Sequence, residues 1–372
     1  MKVKKVLALL IVLLMVVSLA ACGGGGGGTS TPNGGGDDGK VYNLIVQNHD
    51  PATSICGQYV EAWGKKVSEA SNGRIQFTYY HGGSLVSAAE SVEAVKNGTA
   101  DMCWSAASIY SGQFPISEGV MLPLNGVNCA RYGSKVMMDM LKEMPEMQNE
   151  YKDFKVIQLS ACTYAPISLT SKKLEKIEDF KGLRIRAAGS TVTLWAQALG
   201  MSPMTVPTPE TYESLQKKVI EACMNDWHNI SAIKLTEVIK YICDYPVNCS
   251  PLFMLMNKDS YNNLPDDLKA IIDQYSGDYA SEMAGIYWDS TRAWVYDTAD
   301  ENGVEIYEPS EELVAAFGSV KDQVHKEYIE YLNSKNLNGQ AIYDKMMEII
   351  ARYADEYKDP WAKPVKIEDF KG

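Results

Sequence analysis

Gly182-Leu183-Arg184-Ile185-Arg186 decides how this chain is read. Leu183 and Ile185 alternate with arginines, the period of a short β-strand with a buried face. The strand ends on Arg186. A guanidinium at the carboxyl end of a buried strand is costly unless an anion meets it. Its planar fork matches a carboxylate with two parallel hydrogen bonds. That anion could be a ligand or an acid of the protein itself. Arg184 is read as solvated.

Outward from this strand the order of elements repeats. Thr191 to Leu199 is expected as a helix and Met204 to Val206 as a strand. Glu210 to Val219 is then a helix, and Ala222 to Asn225 another strand. The start of the body has the same plan: strand Tyr42–Gln47, helix Ile55–Ala70 ended by Asn72-Gly73, and strand Arg74–Tyr80. Helix Leu85–Asn97, stopped by Gly98, and strand Met102–Ser105 follow. Alternating strands and helices imply mainly parallel sheets covered by helices. Ligands in such sheets sit at strand carboxyl ends, which places His49, Asp50, Tyr80, His81 and Trp104 near a mouth.

Leu252 to Asn257 is a later apolar strand able to return the chain to the first unit. From Leu264 the pattern is helical: Pro265–Asp300, Glu311–Asn333 and Gly339–Tyr357. The fold class is therefore α/β, two-lobed, with a hinge, a cleft between the lobes and a helical C-terminal region. The expected division is residues 41–162 for lobe I, completed by roughly 252–290. Lobe II takes residues 163–251, completed by roughly 291–372. The heptad Lys176-Ile177-Glu178-Asp179-Phe180-Lys181-Gly182 recurs identically as residues 366–372, with unrelated flanks.

The N-terminus sets the compartment. Lys2, Lys4 and Lys5 precede the apolar run Val6–Leu19, which is too short to span a bilayer, and Ala20-Ala21-Cys22 follows. This is the pattern of a bacterial lipoprotein export signal, residues 1–21, with Cys22 the lipidated residue. Residues 22–40 are a tether: six glycines, Gly23–Gly28, lead into Thr, Ser, Pro, Asn and more glycine, with nothing that could form a core. The expected location is the extracytoplasmic face of the cell membrane, held by lipid on Cys22.

The net charge is −12, and removal of residues 1–21 with their three lysines takes it to −15. So acidic a surface is a poor partner for nucleic acid or anionic lipid. Seven cysteines remain after Cys22, with no CxxC among them. They are read as buried thiols, with Cys243–Cys249 the one pairing to consider. Four histidines, His49, His81, His228 and His325, form no HExxH, and no cysteine spacing makes a zinc site. No P-loop, GxGxxG or GxSxG is present. Neither a cofactor, a metal nor an enzyme is expected, although His49 with Asp50 and Asp226 with His228 are local acid–base pairs.

Several stretches, in order, resemble the DctP family, the solute-binding subunits of tripartite ATP-independent periplasmic (TRAP) transporters. They are Ser71–Ile75, Ser91–Met102, Leu169–Lys172, Glu178–Arg186, Tyr212–Gln216 and Lys234–Val238. The resemblance implies that Arg186 binds a ligand carboxylate and that Asn225 helps hold it. Around Asn225 the glycine, glutamine and proline usual in the family are replaced by Ala222, Cys223-Met224 and Asp226. Ile167 stands where some members carry a second ligand-binding arginine.

The expected pocket is therefore soft and aromatic, drawn from Trp104, Tyr164, Cys223, Met224 and Trp227, with His49 at its mouth. The expected ligand is a monocarboxylate with an apolar or aromatic body, and the expected partner is the integral-membrane TRAP permease. An ATP-driven importer's binding protein and a ligand-sensing lipoprotein are the alternatives.

Overall fold

The computed structural model describes residues 39–110 and 112–371. The export signal, Cys22 and nearly all of the tether lie outside them. The chain divides into two units, Met1–Lys40 and Val41–Gly372. Of the first, only the exposed Gly39 and Lys40 are described. No helix among the described residues is long and apolar enough to cross a membrane.

Eleven strands are described in the second unit. They are β1 Tyr42–Asn48, β2 Ile75–Tyr80, β3 Met102–Ala106, β4 Phe154–Ala161, β5 Ile167–Leu169, β6 Arg184–Arg186, β7 Ser202–Met204, β8 Ala222–Met224, β9 Tyr241–Cys243, β10 Pro251–Asn257 and β11 Glu305–Tyr307. They form two sheets, ordered β2-β1-β3-β10-β4 and β11-β9-β5-β8-β6-β7. The molecule is a two-lobed α/β protein.

Both sheets are mainly parallel, as the alternation of strands and helices implies, and each contains one reversed strand. β10 runs antiparallel to β3 and β4, and β5 antiparallel to β8 and β9. β5 and β10 each follow directly on a strand of the other sheet, whereas β11, reached through the long helices, runs parallel to β9. All seven residues of β10, Pro-Leu-Phe-Met-Leu-Met-Asn, are buried, as an apolar run covered on both faces must be.

Helix Ile55–Ala70 starts where Ser54 Oγ accepts the Gly57 N–H at 3.1 Å. It ends through left-handed Asn72 and Gly73, with φ 51° and 77°. Gly57 admits no side chain, because a Cβ there would lie 2.5 Å from the Ala52 carbonyl oxygen. That contact seats the loop after β1 against the first turn of the helix.

Several element boundaries differ from expectation, each for a local reason. Residues 85–97 are a 3-10 turn, Ala88–Glu90, and a helix, Ser91–Lys96, because Ser87 and Glu90 form a capping box that starts the turn there. The strand expected over Met204–Val206 is Ser202–Met204, and the Val206 carbonyl is taken by Arg186. The expected helix Glu210–Val219 stops at Gln216, before left-handed Lys218. Residues 265–300 are two helices, Asp266–Gln274 and Asp278–Asn302, parted at Gly277 with φ 65°. Glu311–Ser319 and Lys321–Ser334 are likewise separate.

The C-terminal region serves both sheets. Phe317 packs on Phe180 and Trp195 beside the second sheet. Helix Gly339–Arg352 instead meets helix Ala130–Glu143 beside the first, where the Tyr132 hydroxyl donates to the Ile350 carbonyl and Arg352 pairs with Glu143 at 2.6 Å. The repeated heptad builds the same turn twice. Asp179 Oδ2 accepts the Lys176 N–H at 3.1 Å, and Asp369 Oδ2 the Lys366 N–H at 2.8 Å. Phe180 is buried, while Phe370 sits edge-on to Tyr279 at 5.1 Å. All seven described cysteines are free and buried, including Cys243 and Cys249.

Candidate functional site

Four strands point their carboxyl ends at one cavity of about 940 Å³. That is near the top of the roughly 300–1,000 Å³ range for small-molecule sites. β1 delivers His49 and Asp50, β3 delivers Trp104, β6 delivers Arg186, and β8 delivers Met224, Asn225 and Asp226. The cavity therefore takes one wall from each sheet.

Arg186 is 8% exposed. Pairing of β6 with β8 sets it beside Cys223. Its Nη1 donates to the Met224 carbonyl at 2.9 Å, its Nε to the Val206 carbonyl at 3.1 Å, and its Nη2 to Thr208 Oγ1 at 3.0 Å. Two carbonyls and a hydroxyl thus fix the plane of the fork, leaving one N–H on each terminal nitrogen unassigned. No carboxylate among the described residues forms an ion pair with it, which answers the question of a protein acid. Burial lowers its pKa, with Cys223 and Asp226 opposing that shift. Arg184 lies at the other end of the strand, exposed and 3.4 Å from Glu221.

Asn225, 2% exposed, follows β8 on the same wall. Neither its Oδ1 nor its Nδ2 has a partner. A buried polar group left unpaired costs about 1–3 kcal/mol. An uncompensated guanidinium beside an orphan amide is an arrangement that an incoming carboxylate would relieve.

The facing wall is aromatic. Trp104 stacks on Trp288 at 5.5 Å and 25°, and His49 lies 5.3 Å from Trp104. Trp104 Nε1 and His49 Nδ1 are also buried without partners. Burial lowers the His49 pKa, and the nearby Asp50 carboxylate opposes that shift.

Of the residues named from sequence, Arg186, Asn225, Met224, Trp104 and His49 line the cavity. Trp227, Tyr164 and Cys223 do not, which corrects their expected place in the pocket. Trp227 turns away into a separate cluster with Tyr164 at 5.9 Å, Tyr296 at 5.6 Å and the Arg292 guanidinium at 5.3 Å. Arg292 is itself bound to Asp244 at 2.6 Å, and the Tyr164 hydroxyl donates to Asp244. The reason is helical: Trp227 opens helix Trp227–Ala232, capped by Asp226, and the turn presents Asp226 and His228 to the cavity instead. Ile167 is buried in β5, paired with Met224 and Cys243.

Sequence reasoning missed Trp288 and Thr208. Trp288 lies within helix Asp278–Asn302, where nothing in its spacing separates a cavity wall from a core. Pro207-Thr208-Pro209 carried the signal of a rigid loop, but no register against Arg186. Asp50, Cys56 and His228 are also brought together in the cavity, each offering one donor atom suited to a metal.

A two-lobed α/β body with a buried guanidinium in the cavity between its sheets is the architecture of a solute-binding protein. Residues 46–331 match bacterial extracellular solute-binding protein family 7, DctP, and the chain belongs to that family.

Among relatives, an uncharacterised Haemophilus influenzae protein is 30% identical over 43% of this chain and half of its own length. The Escherichia coli 2,3-diketo-L-gulonate-binding periplasmic protein YiaO is 22% identical over 64% of this chain and 73% of its own. Two solved structures share the fold at 24% identity. One is a marine metagenome TRAP solute-binding protein specific for aromatic acid ligands, in complex with 3-hydroxybenzoate. It has a TM-score of 0.79 and covers 84% of this chain and 99% of its own. The other, from Rhodoferax ferrireducens with copurified benzoate, has a TM-score of 0.80 and covers 85% of this chain and all of its own.

Proposed function

We propose that this chain is the extracytoplasmic receptor of a TRAP transporter, capturing a small monocarboxylate with an apolar or aromatic body for the membrane permease. One observation carries the reading: Arg186 is buried, oriented by three neutral acceptors, and in ion-pair contact with no carboxylate among the described residues. A ligand carboxylate supplies the missing anion and reaches Asn225, while Trp104 and Trp288 take an apolar or aromatic body. Among the described residues lining the cavity, the charged side chains are Arg186, Asp50 and Asp226, with no lysine. That balance disfavours a second carboxylate on the ligand. The aromatic acids held by the two solved relatives support the same class. In this reading lobe I is residues 41–162, completed by roughly 252–290, and lobe II residues 163–251, completed by roughly 291–372. Closure of one on the other traps the acid. Lipid on Cys22 holds the receptor at the membrane.

The test is calorimetric titration of the purified, ligand-stripped chain. The panel is benzoate, 3-hydroxybenzoate, mandelate, pyruvate, succinate and a sugar acid. Tight binding of an aromatic monocarboxylate, lost in Arg186→Ala, is expected. Preference for succinate or the sugar acid would overturn the ligand class, and heat from no acid would overturn the receptor reading.

A further inference from the structure

The cavity holds a second constellation that carboxylate capture does not use. Cys56 Sγ lies 3.7 Å from His228 Nε2. With a carboxylate oxygen of Asp50, the three donor atoms lie within 4.8 Å of one another. Cys56 is 1% exposed and His228 6%, while Asp50 is half-buried at the cavity wall. These residues come from opposite walls. Asp50 follows β1 and Cys56 lies in the first turn of helix Ile55–Ala70, both on the first lobe. His228 lies on the helix after β8, on the second.

We propose that Asp50, Cys56 and His228 bind a divalent transition-metal ion of the Zn²⁺ type, clipping the two lobes together across the ligand cavity. The spacing suits such an ion. A tetrahedral centre holding thiolate at ~2.3 Å and imidazole at ~2.0 Å sets sulfur and nitrogen about 3.5 Å apart. The donor set is equally selective. Thiolate, imidazole and carboxylate together fit Zn²⁺, Co²⁺ or Fe²⁺, whereas Ca²⁺ and Mg²⁺ take oxygen ligands. On binding, the Cys56 thiol releases its proton to solvent and the sulfur coordinates as thiolate. Three protein donors leave a fourth position, open to water or to an oxygen of the captured acid.

Two further observations favour a cation here. Among the described lining residues, Asp50 and Asp226 outnumber the one cation, Arg186, so a monoanionic ligand enters a cavity with more acids than bases. The Asp50 carboxylate sits at the wall with its Oδ2 3.7 Å from His49 Nε2, within reach of the cavity's other donors. Neither point depends on which acid is bound.

Cobalt(II) titration of the chelator-treated, tag-free full chain tests the proposal. One equivalent should bind, giving a thiolate-to-cobalt charge-transfer band in the near ultraviolet and tetrahedral d–d bands in the visible. Zn²⁺ should displace both. Cys56→Ser should lose the near-ultraviolet band, and His228→Gln and Asp50→Asn should each weaken binding at least tenfold. Asp50→Asn alters a half-buried side chain, so a loss of metal with an unchanged circular dichroism spectrum separates the site from misfolding. Absence of stoichiometric cobalt binding, or survival of the near-ultraviolet band in Cys56→Ser, overturns the proposal. Arg186→Ala should keep the cobalt spectrum while losing the acid, so failure here and failure of the receptor reading are told apart.

Discussion

The Arg186 guanidinium donates to the Met224 carbonyl at 2.9 Å, and the next residue is the unpartnered Asn225. The strand pair β6 and β8 thus fixes a cation and an orphan amide side by side, and several outcomes depend on that join.

Asn225→Asp should close the site from within. The new carboxylate would stand beside an uncompensated guanidinium and take the place of the ligand's anion. Affinity for a monocarboxylate should fall by ~100-fold or more, about 2.7 kcal/mol, by calorimetry. The melting temperature of the ligand-free chain should rise. A variant that binds acid as the parent does would remove Asn225 from the site.

Arg186→Lys keeps the charge and loses the fork. A lysine ammonium cannot hold the Val206 and Met224 carbonyls and still present two parallel donors. Affinity should drop by at least tenfold, about 1.4 kcal/mol. Full retention of binding would show that charge alone suffices.

Trp104 and Trp227 should separate function from stability. Trp104→Ala removes the stacking surface against Trp288 and should weaken aromatic acids about tenfold or more, with smaller effects on pyruvate. Trp227→Ala deletes a fully buried ring away from the cavity. It should cost about 3–5 kcal/mol of folding free energy in denaturant titrations while leaving affinity within a few-fold. The reverse pattern would put the aromatic contact back on Trp227.

Glu150 should make stability depend on pH. Burial pushes its carboxyl up to about 7, against the hydrogen bonds it accepts from the Ile116 N–H at 2.8 Å and the Ser117 N–H at 3.1 Å. The folded state therefore holds a proton that the unfolded state releases near the ordinary value of 4.5. Its contribution is present below that value and is lost as pH rises through about 7. His49 and His325, whose pKa values burial lowers, act with the opposite sign. The parent should lose more stability than Glu150→Gln between pH 5 and 8, by on the order of 2 kcal/mol. Equal slopes would dismiss the carboxyl.

Sequence periodicity served well where a residue's role is set by its own strand. β1, β6, β8 and β10 were legible because short apolar alternation or a fully apolar run leaves little choice, and Arg186 stood out as a cation in such a run. Helix boundaries slipped where side chains redirect the backbone, as at Ser87 and Gly277. The aromatic pocket was half legible. Trp104 lies within a short strand that leads to the cavity, whereas the direction of Trp227 depends on a helical turn begun by Asp226. Cys56 and His228 were out of reach for a simpler reason: 172 positions separate them, and only the packing of one lobe on the other brings them within 3.7 Å.

Two of the three segments joining the sheets have a mechanical consequence. Residues 162–166 carry the chain out of β4 into β5, and residues 244–250 bring it back from β9 to β10. They travel as a ribbon: the Cys162 N–H donates to the Ser250 carbonyl and the Ala165 N–H to the Asn248 carbonyl, both at 2.9 Å. A single strand would let one lobe swivel on the other about any axis. Two strands laced together resist torsion and yield most easily along the crease between them. If the cavity opens, that crease is the axis on which the separation of Arg186 on one wall from Trp104 on the other should depend.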